Sequence, residues 1–112
     1  MHMIEAIVKP SSIDGIKSKL AQIGVLGMTA TEVKGFGKQK GHTERYRGGR
    51  MDVGFVPKVS LKVAVKSEDL DKALEAITTA ARTGNVGDGK LFVYEVTKVI
   101  RIRTGESDND AL

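Results

Sequence analysis

Cysteine and tryptophan are absent from this chain of 112 residues, which has only two prolines, two histidines and five aromatic side chains. The lack of cysteine excludes a disulfide framework, a thiolate zinc site and a thiol nucleophile, and two histidines are too few for a histidine-rich metal cage. No apolar run approaches the ~20 residues of a transmembrane helix, and the N-terminus lacks the apolar stretch of a secretory signal. We therefore expect a cytoplasmic protein with no direct membrane insertion.

Hydrophobic residues make up 40% and charged residues 29% of the chain, which is typical of a globular domain and excludes disorder as the main state. The length fits a single domain over residues 1–112. The net charge of +4 favours anionic partners. Five cations and two acids lie within residues 36–57, whereas residues 105–112 carry three acids and no base. We expect this acidic C-terminal tail to be solvated.

The spacing of apolar residues predicts a strand followed by a helix near the N-terminus. Apolar residues alternate with other residues over 4–8, a period of two that is typical of a strand. They recur at helical spacing over 13–23, after Ser11 or Ser12 as a candidate N-cap and before Gly24 as a C-terminal stop.

A strand predicted over 29–34 completes this first unit, and the same order of elements then recurs. Alternation predicts a strand over 59–65, helical spacing predicts a helix over 70–80 with Ser67 as its cap, and a strand follows over 91–96. The two units resemble each other in sequence as well as in order.

Two successive βαβ units predict an α+β fold, the ferredoxin-like double βαβ sandwich with an antiparallel sheet and both helices on one face. Valine and leucine also occupy outward-facing strand positions, so we expect self-association to cover the other face.

A long glycine-rich segment over residues 36–57 interrupts this pattern. The stretch from Gly35 to Pro57 holds six of the thirteen glycines, and loops of this length are usually functional or disordered. A dispensable insertion is the alternative. We interpret His42 as a solvated loop histidine, because no nucleophile, base and orienting group are found together. The chain is therefore not expected to be an enzyme.

The run from Gly84 to Lys90 has the spacing G-x-x-x-x-G-K, in which backbone N–H groups can cradle phosphates beside a lysine. A P-loop nucleoside triphosphatase is not expected, since Leu91 stands where that motif needs serine or threonine and a strand follows where it needs a helix. An ordinary turn between helix and strand is the alternative interpretation.

A last strand is predicted over 99–103, where Arg101 and Arg103 would project from one face about 7 Å apart. Such a pair suits two groups of a polyphosphate. A simple solvated strand face is the alternative.

Lys34, Gly35, Phe36 and Gly37 match the start of the RNA-recognition motif, whose fold has the same order of elements. Phe92 and Tyr94 share one face of a strand and are candidates for base stacking. The motif next needs aromatic residues, whereas Lys38, Gln39 and Lys40 follow. Nucleic-acid binding is therefore the least favoured interpretation.

Together, several segments spread over the whole chain resemble the PII nitrogen-regulatory signal proteins. The resemblance implies a homotrimer that binds ATP or ADP in clefts between subunits, senses 2-oxoglutarate beside Mg²⁺-ATP, and regulates a target enzyme or membrane transporter through its long loop. The matching segments are Ile4–Pro10, Gly35–His42, Phe55–Val59, Thr83–Lys90 and Val99–Glu106.

The resemblance also implies roles for single residues. Gln39 and Lys58 match the 2-oxoglutarate positions, with the Gln39 amide oxygen as a magnesium ligand. The partner-binding loop would include Tyr46, Arg47, Arg50 and Met51. The nucleotide-binding positions are Thr29, Gly35, Gly37, Lys38, Gln39, Gly87, Asp88, Gly89, Lys90, Arg101 and Arg103.

Three positions depart from the family pattern. Met51 stands where the family usually has a uridylylated tyrosine, Gly49 where some relatives have a phosphorylated serine, and Lys62 where an acid lies near the nucleotide. The resemblance therefore implies a regulator controlled by ligands rather than by uridylylation. A PII-like regulator of a non-nitrogen transporter, responding to adenylates only, is the alternative.

Overall fold

A computed structural model describes residues 1–36 and 54–112. The two predicted units of strand, helix and strand are confirmed, and no end differs from the predicted one by more than three residues. The elements are β1 (His2–Val8), α1 (Ile13–Gln22), β2 (Thr29–Gly35), β3 (Val56–Val65), α2 (Leu70–Ala81) and β4 (Gly89–Glu95).

The four strands form one antiparallel sheet in the order β2-β3-β1-β4. Strand β1 lies at its centre: Ile4 is opposite Val63 of β3 on one side and Val93 of β4 on the other. This order with two βαβ units is the ferredoxin-like arrangement, so the predicted fold class is confirmed.

The core lies between the sheet and the two helices. The predicted alternation of β1 is confirmed, because Ile4 and Val8 are buried on the helix side. Ile16 of α1 and Ile77 of α2 are fully buried against them. Truncating one such side chain to alanine typically costs about 2–5 kcal/mol.

The opposite face of the sheet, here called the open face, carries a mixture of apolar and polar side chains. Glu5 is directly opposite Lys62 of β3 and Phe92 of β4 on this face. Phe92 and Tyr94 remain 46% and 45% exposed there. The predicted open face with outward apolar residues is therefore present.

The predicted serine caps are wrong. Ser12 precedes α1 but makes no side-chain cap hydrogen bond, and Ser67 instead accepts a hydrogen bond from the N-terminal amine of Met1 at 2.9 Å. A single 3-10 turn precedes each helix, at Pro10–Ser12 and at Ser67–Asp69. Backbone carbonyls in these turns accept the N–H groups that a side-chain cap would otherwise satisfy.

The strand predicted over 99–103 is also wrong. Only one bridge forms, between Ile100 and Ser107, and the chain reverses tightly because the N–H of Gly105 donates to the carbonyl of Arg101 at 2.8 Å. Gly105 has a φ of 76°, which glycine adopts without strain. Ile102 is 96% exposed. The alternation of isoleucine and arginine therefore reflects a turn and not a strand face.

The acidic tail is not simply solvated, contrary to expectation. It folds back onto the preceding turn: Glu106 pairs with Arg101 and Asp108 with Lys98. A 3-10 turn at Asp108–Ala111 follows. We call residues 97–112 the C-terminal segment.

The long segment predicted over 36–57 ends inside β3, which already begins at Val56. The rings of Phe36 and Phe55 contact each other with centroids 5.7 Å apart. In the part of the chain that the structure describes, no helix is long and apolar enough to cross a membrane.

Candidate functional site

The predicted site residues that the structure describes lie at two opposite ends of the sheet. At one end, here called the Lys58 end, β2 finishes at Gly35 and β4 starts at Gly89. At the other, the Thr29 end, β2 starts at Thr29 and the C-terminal segment lies nearby.

Lys58 is the buried cation of the Lys58 end, with 7% of its surface exposed. Its stem covers Gly35, where an added Cβ would lie 3.0 Å from the Lys58 Cγ. Its ammonium donates to the carbonyl oxygen of Gly87 at 2.7 Å. Burial lowers the pKa of Lys58, repulsion from Lys9 lowers it further, and Asp88 partly offsets both.

The Asp88 carboxylate holds the loop between α2 and β4 in its conformation. The carboxylate accepts hydrogen bonds from the N–H of Thr83 at 2.7 Å and of Gly84 at 2.8 Å, and from the Thr83 hydroxyl. The Lys9 ammonium lies 3.4 Å away. These donors, the Thr83 hydroxyl first, hold the pKa of Asp88 well below its usual range. The first amides of the predicted phosphate cradle therefore bind a carboxylate of the chain itself.

Gly89 has a structural reason to be glycine. Its φ is 111°, and an added Cβ would overlap the carbonyl oxygen of Ile7 in the neighbouring strand. Lys90 follows on the open face, directly opposite Ile7, and Gly87 has a φ of 104°. The exposed Lys90 thus directly follows the loop whose amides bind the Asp88 carboxylate.

The Thr29 end carries a second group of predicted residues around a cavity of about 450 Å³. Arg101 lines this cavity together with Gly27, Ala64, Lys66 and Leu112. Thr29 is two residues beyond Gly27 and lies opposite Lys62.

Arg101 is held within the C-terminal segment. Its Nη1 donates to Glu106 at 2.7 Å and its Nη2 to the carbonyl oxygen of Ala111 at 3.3 Å. Arg103 lies exposed in the following turn.

Thr29 and Gly35 are both predicted nucleotide-binding residues, but they do not lie close together within a single chain. Thr29 and Gly35 are the first and last residues of β2, which corresponds to a separation of about 20 Å along the strand. The structure therefore brings Gly35, Lys58 and the loop before β4 together, and it places Thr29 and Arg101 elsewhere.

Sequence reasoning missed a polar cluster at the centre of the open face. One carboxylate oxygen of Glu5 accepts from the Ser60 hydroxyl at 3.0 Å and the other accepts from the Tyr94 hydroxyl. The hydrogen bond from Tyr94, then that from Ser60, lowers the pKa of Glu5, and the same bond to Glu5 raises the pKa of Tyr94. Lys9 was missed as well, because only the strand register brings it to Asp88.

Several predicted residues lie outside the described residues, and so does the predicted magnesium ligand Gln39. Within residues 1–36 and 54–112, no group of three or more histidine, cysteine, aspartate or glutamate side chains could hold a metal ion. The residues outside are Gly37, Lys38, Gln39, Tyr46, Arg47, Arg50 and Met51, as well as His42 and Gly49.

Comparison with known proteins assigns the chain to a family. A family model described as "Nitrogen regulatory protein P-II" matches residues 1–106. The chain is 54% identical over 112 residues to the nitrogen regulatory protein P-II of Pasteurella multocida, 52% identical to that of Rhizobium etli and 51% identical to P-II 1 of Escherichia coli. Each alignment covers 100% of both chains. Lys34 to Gly37 therefore belong to a P-II segment rather than to an RNA-recognition motif, and the chain belongs to the nitrogen regulatory protein P-II family.

Proposed function

We propose that this P-II family member forms a homotrimer and binds ATP or ADP in the clefts between subunits. It senses 2-oxoglutarate beside Mg²⁺-ATP and passes the result through residues 36–57 to a target enzyme of nitrogen metabolism or to a membrane transporter. Its role is regulatory and not enzymatic, and neither nucleic acid nor membrane insertion is involved.

The observation that carries this proposal is the division of anion-handling residues between the two ends of one sheet. Lys90 lies opposite Ile7 near the start of β4, whereas Arg101 lines a cavity with Ala64 and Lys66 at the far end of β3, so each end offers only part of a polyphosphate site. A second copy that presents its Thr29 end to the Lys58 end of the first completes the site. Such head-to-tail contacts close into a ring, and three copies are the number that the family resemblance implies.

Exposed apolar side chains at both ends support this head-to-tail contact. Leu26 and Ile102 at the Thr29 end are 77% and 96% exposed, and Val86 at the Lys58 end is 63% exposed. Large exposed side chains gathered near a polar site are typical of a surface that another copy covers.

Within this shared cleft, each end supplies different groups. Gly87, Gly89 and Lys90 contact phosphates, and so do Gly37, Lys38 and Gln39. Asp88 keeps the loop in shape. The neighbouring subunit supplies Arg101 and Arg103, whose guanidinium groups suit phosphate oxygens. Gly35 of one subunit and Thr29 of its neighbour lie near the adenosine.

One carboxylate of the effector 2-oxoglutarate binds the buried Lys58 ammonium. Because that ammonium now donates to the Gly87 carbonyl, the effector exchanges an internal acceptor for an anionic one, which forms the stronger hydrogen bond. Gln39 contributes an amide oxygen to Mg²⁺. Met51 and Gly49 provide no hydroxyl for uridylylation or phosphorylation at those positions, so ligand occupancy is the switch.

Titration calorimetry with ATP, with ADP, and with 2-oxoglutarate in the presence and absence of Mg²⁺-ATP tests the proposal. Lys90→Ala and Arg103→Ala are each expected to weaken ATP binding by one to two orders of magnitude, because each removes a charge-assisted hydrogen bond worth about 1.5–3 kcal/mol.

Lys17→Ala on the exposed side of α1 is the matched control and leaves ATP binding unchanged. Wild-type affinity in both site variants would contradict the nucleotide site. ATP binding without any 2-oxoglutarate binding would instead favour the regulator that responds to adenylates only.

A further inference from the structure

The C-terminal segment closes on Arg101 through a dense set of hydrogen bonds. The N–H of Arg101 donates to the carbonyl of Glu106 and the N–H of Gly105 to the carbonyl of Arg101, both at 2.8 Å. The Thr104 hydroxyl also donates to Glu106, at 3.0 Å from its Oε1. The turn and the Thr104 hydroxyl therefore hold the Glu106 carboxylate beside the guanidinium.

The contact between Arg101 and Glu106 is chemically the contact that a phosphate would make. A guanidinium binds carboxylate and phosphate oxygens with the same planar donors. The Nη1 to Oε1 distance is 2.7 Å, and the Arg101 and Glu106 side chains are 41% and 46% exposed. An incoming anion can therefore reach the guanidinium, and the carboxylate can turn into solvent when it is displaced.

We infer that Glu106 is an internal competitor for Arg101: it occupies the guanidinium in the empty protein and the nucleotide phosphate must displace it. The inference rests on the proposed nucleotide site and adds to it a residue that sets its affinity. An exposed ion pair contributes little, so the competition weakens ATP binding by about two- to five-fold rather than by orders of magnitude.

Removal of any negative charge near a bound polyphosphate strengthens binding to some extent, so a matched control is needed. Asp110 lies in the same segment, and its carboxylate makes no hydrogen bond or ion pair with the described part of the chain. Asp110→Asn makes the same charge change as Glu106→Gln without touching Arg101.

The experiment is calorimetric titration of the full chain with ATP for the wild type, Glu106→Gln, Asp110→Asn, Arg101→Ala and the Arg101→Ala/Glu106→Gln double variant, with thermal melting to confirm that each is folded. Glu106→Gln is expected to bind ATP about two- to five-fold more tightly than the wild type. Asp110→Asn is expected to change the binding free energy of ATP by less than half of the change produced by Glu106→Gln. In the Arg101→Ala background, titrated at millimolar ATP, Glu106→Gln is expected to give no gain.

Unchanged or weaker ATP binding by Glu106→Gln would overturn the inference, and so would an equal gain with Asp110→Asn or a full gain in the Arg101→Ala background. Each of these results leaves the nucleotide site itself intact. Failure of the wild type to bind ATP or ADP would instead overturn the proposed function, and this inference with it.

Discussion

The Lys58 ammonium donates to the Gly87 carbonyl at 2.7 Å, although β1 separates β3 from β4 in the sheet. This bond links the start of β3 to the loop before β4. An anion that replaces the Gly87 carbonyl at this ammonium breaks the link, so we expect the two segments to respond together.

Lys58→Met is expected to abolish 2-oxoglutarate binding in the presence of Mg²⁺-ATP while leaving ATP affinity within about three-fold of the wild type. Methionine keeps the stem over Gly35 but removes the cation. A typical allosteric coupling of about 1–3 kcal/mol would be lost. Calorimetry measures both events, and Met51→Ala is the control that leaves both nearly unchanged. Equal 2-oxoglutarate affinity of the wild type with and without nucleotide would contradict this mechanism.

Gly89→Ala is expected to destabilise the protein by about 3 kcal/mol or more, because the new methyl group overlaps the Ile7 carbonyl oxygen and the φ of 111° is strained for alanine. Gly84→Ala is the matched control: its φ is 91°, and an added Cβ has nothing within 4 Å. We expect a cost of only about 1–2 kcal/mol there. Urea unfolding measures the difference, and equal costs would exclude the backbone contact as its cause.

Asp88→Asn is expected to lower the urea midpoint at pH 7 and to flatten the acid limb of the stability curve. The pKa of Asp88 is lowered on folding from an ordinary value of 3.8, so the unfolded chain binds more protons in acid. The stabilisation is present above the unfolded pKa and is lost as the pH falls below about 5. Asp110→Asn is the control and should keep the wild-type urea midpoint at pH 7, because this carboxylate makes no hydrogen bond or ion pair with the described residues. A parallel slope in Asp88→Asn would show that the loop does not depend on this carboxylate.

Tyr94 is expected to ionise above the ordinary tyrosine pKa of 10.0, because its hydroxyl donates to the Glu5 carboxylate and its phenolate would face that charge. Absorbance titration in a Tyr46→Phe background isolates it, with circular dichroism to monitor folding. Glu5→Gln should bring the midpoint back toward 10.0. Ser60→Ala keeps the Glu5 charge and should leave the midpoint raised. A normal midpoint in the Tyr46→Phe protein would contradict the open-face cluster.

The wild type is expected to have about three times the 12.0 kDa chain mass by light scattering at micromolar concentration. Phe92→Glu should give a monomer, because it places a carboxylate in place of a half-exposed ring on the open face that we expect another copy to cover. Ala21→Glu, on the exposed side of α1, should leave the assembly intact. A monomeric wild type would contradict the proposed nucleotide site between subunits.

Periodicity predicted those parts of the fold that depend on local burial. Ile4, Ile16 and Ile77 lie where strand or helix spacing puts them, because one face of each element packs on a single core. The strand predicted around Ile102 was wrong, because isoleucine and arginine can alternate in sequence in an exposed turn as well as in a strand. Gly105, with its positive φ, was the available signal for a turn.

The sequence predicted which residues belong to the site, but it did not predict which of them contact each other. The glycines and Lys90 of the loop before β4 were recognisable from their spacing. The pairing of Lys58 with Gly87, of Lys9 with Asp88 and of Glu5 with Tyr94 depends on strand register between distant parts of the chain. The spacing of residues within one segment does not show which residues of a distant strand will lie opposite them.

The central position of β1 also sets the order in which the protein can fold during synthesis. Strand β1 is made before both of its neighbours: His2 pairs with Val65 of β3 and with Glu95 of β4. Both of these later strands must be synthesised before β1 is paired on both sides. The folding rate is therefore limited by the closure of these long-range pairings rather than by the rapid formation of the helices.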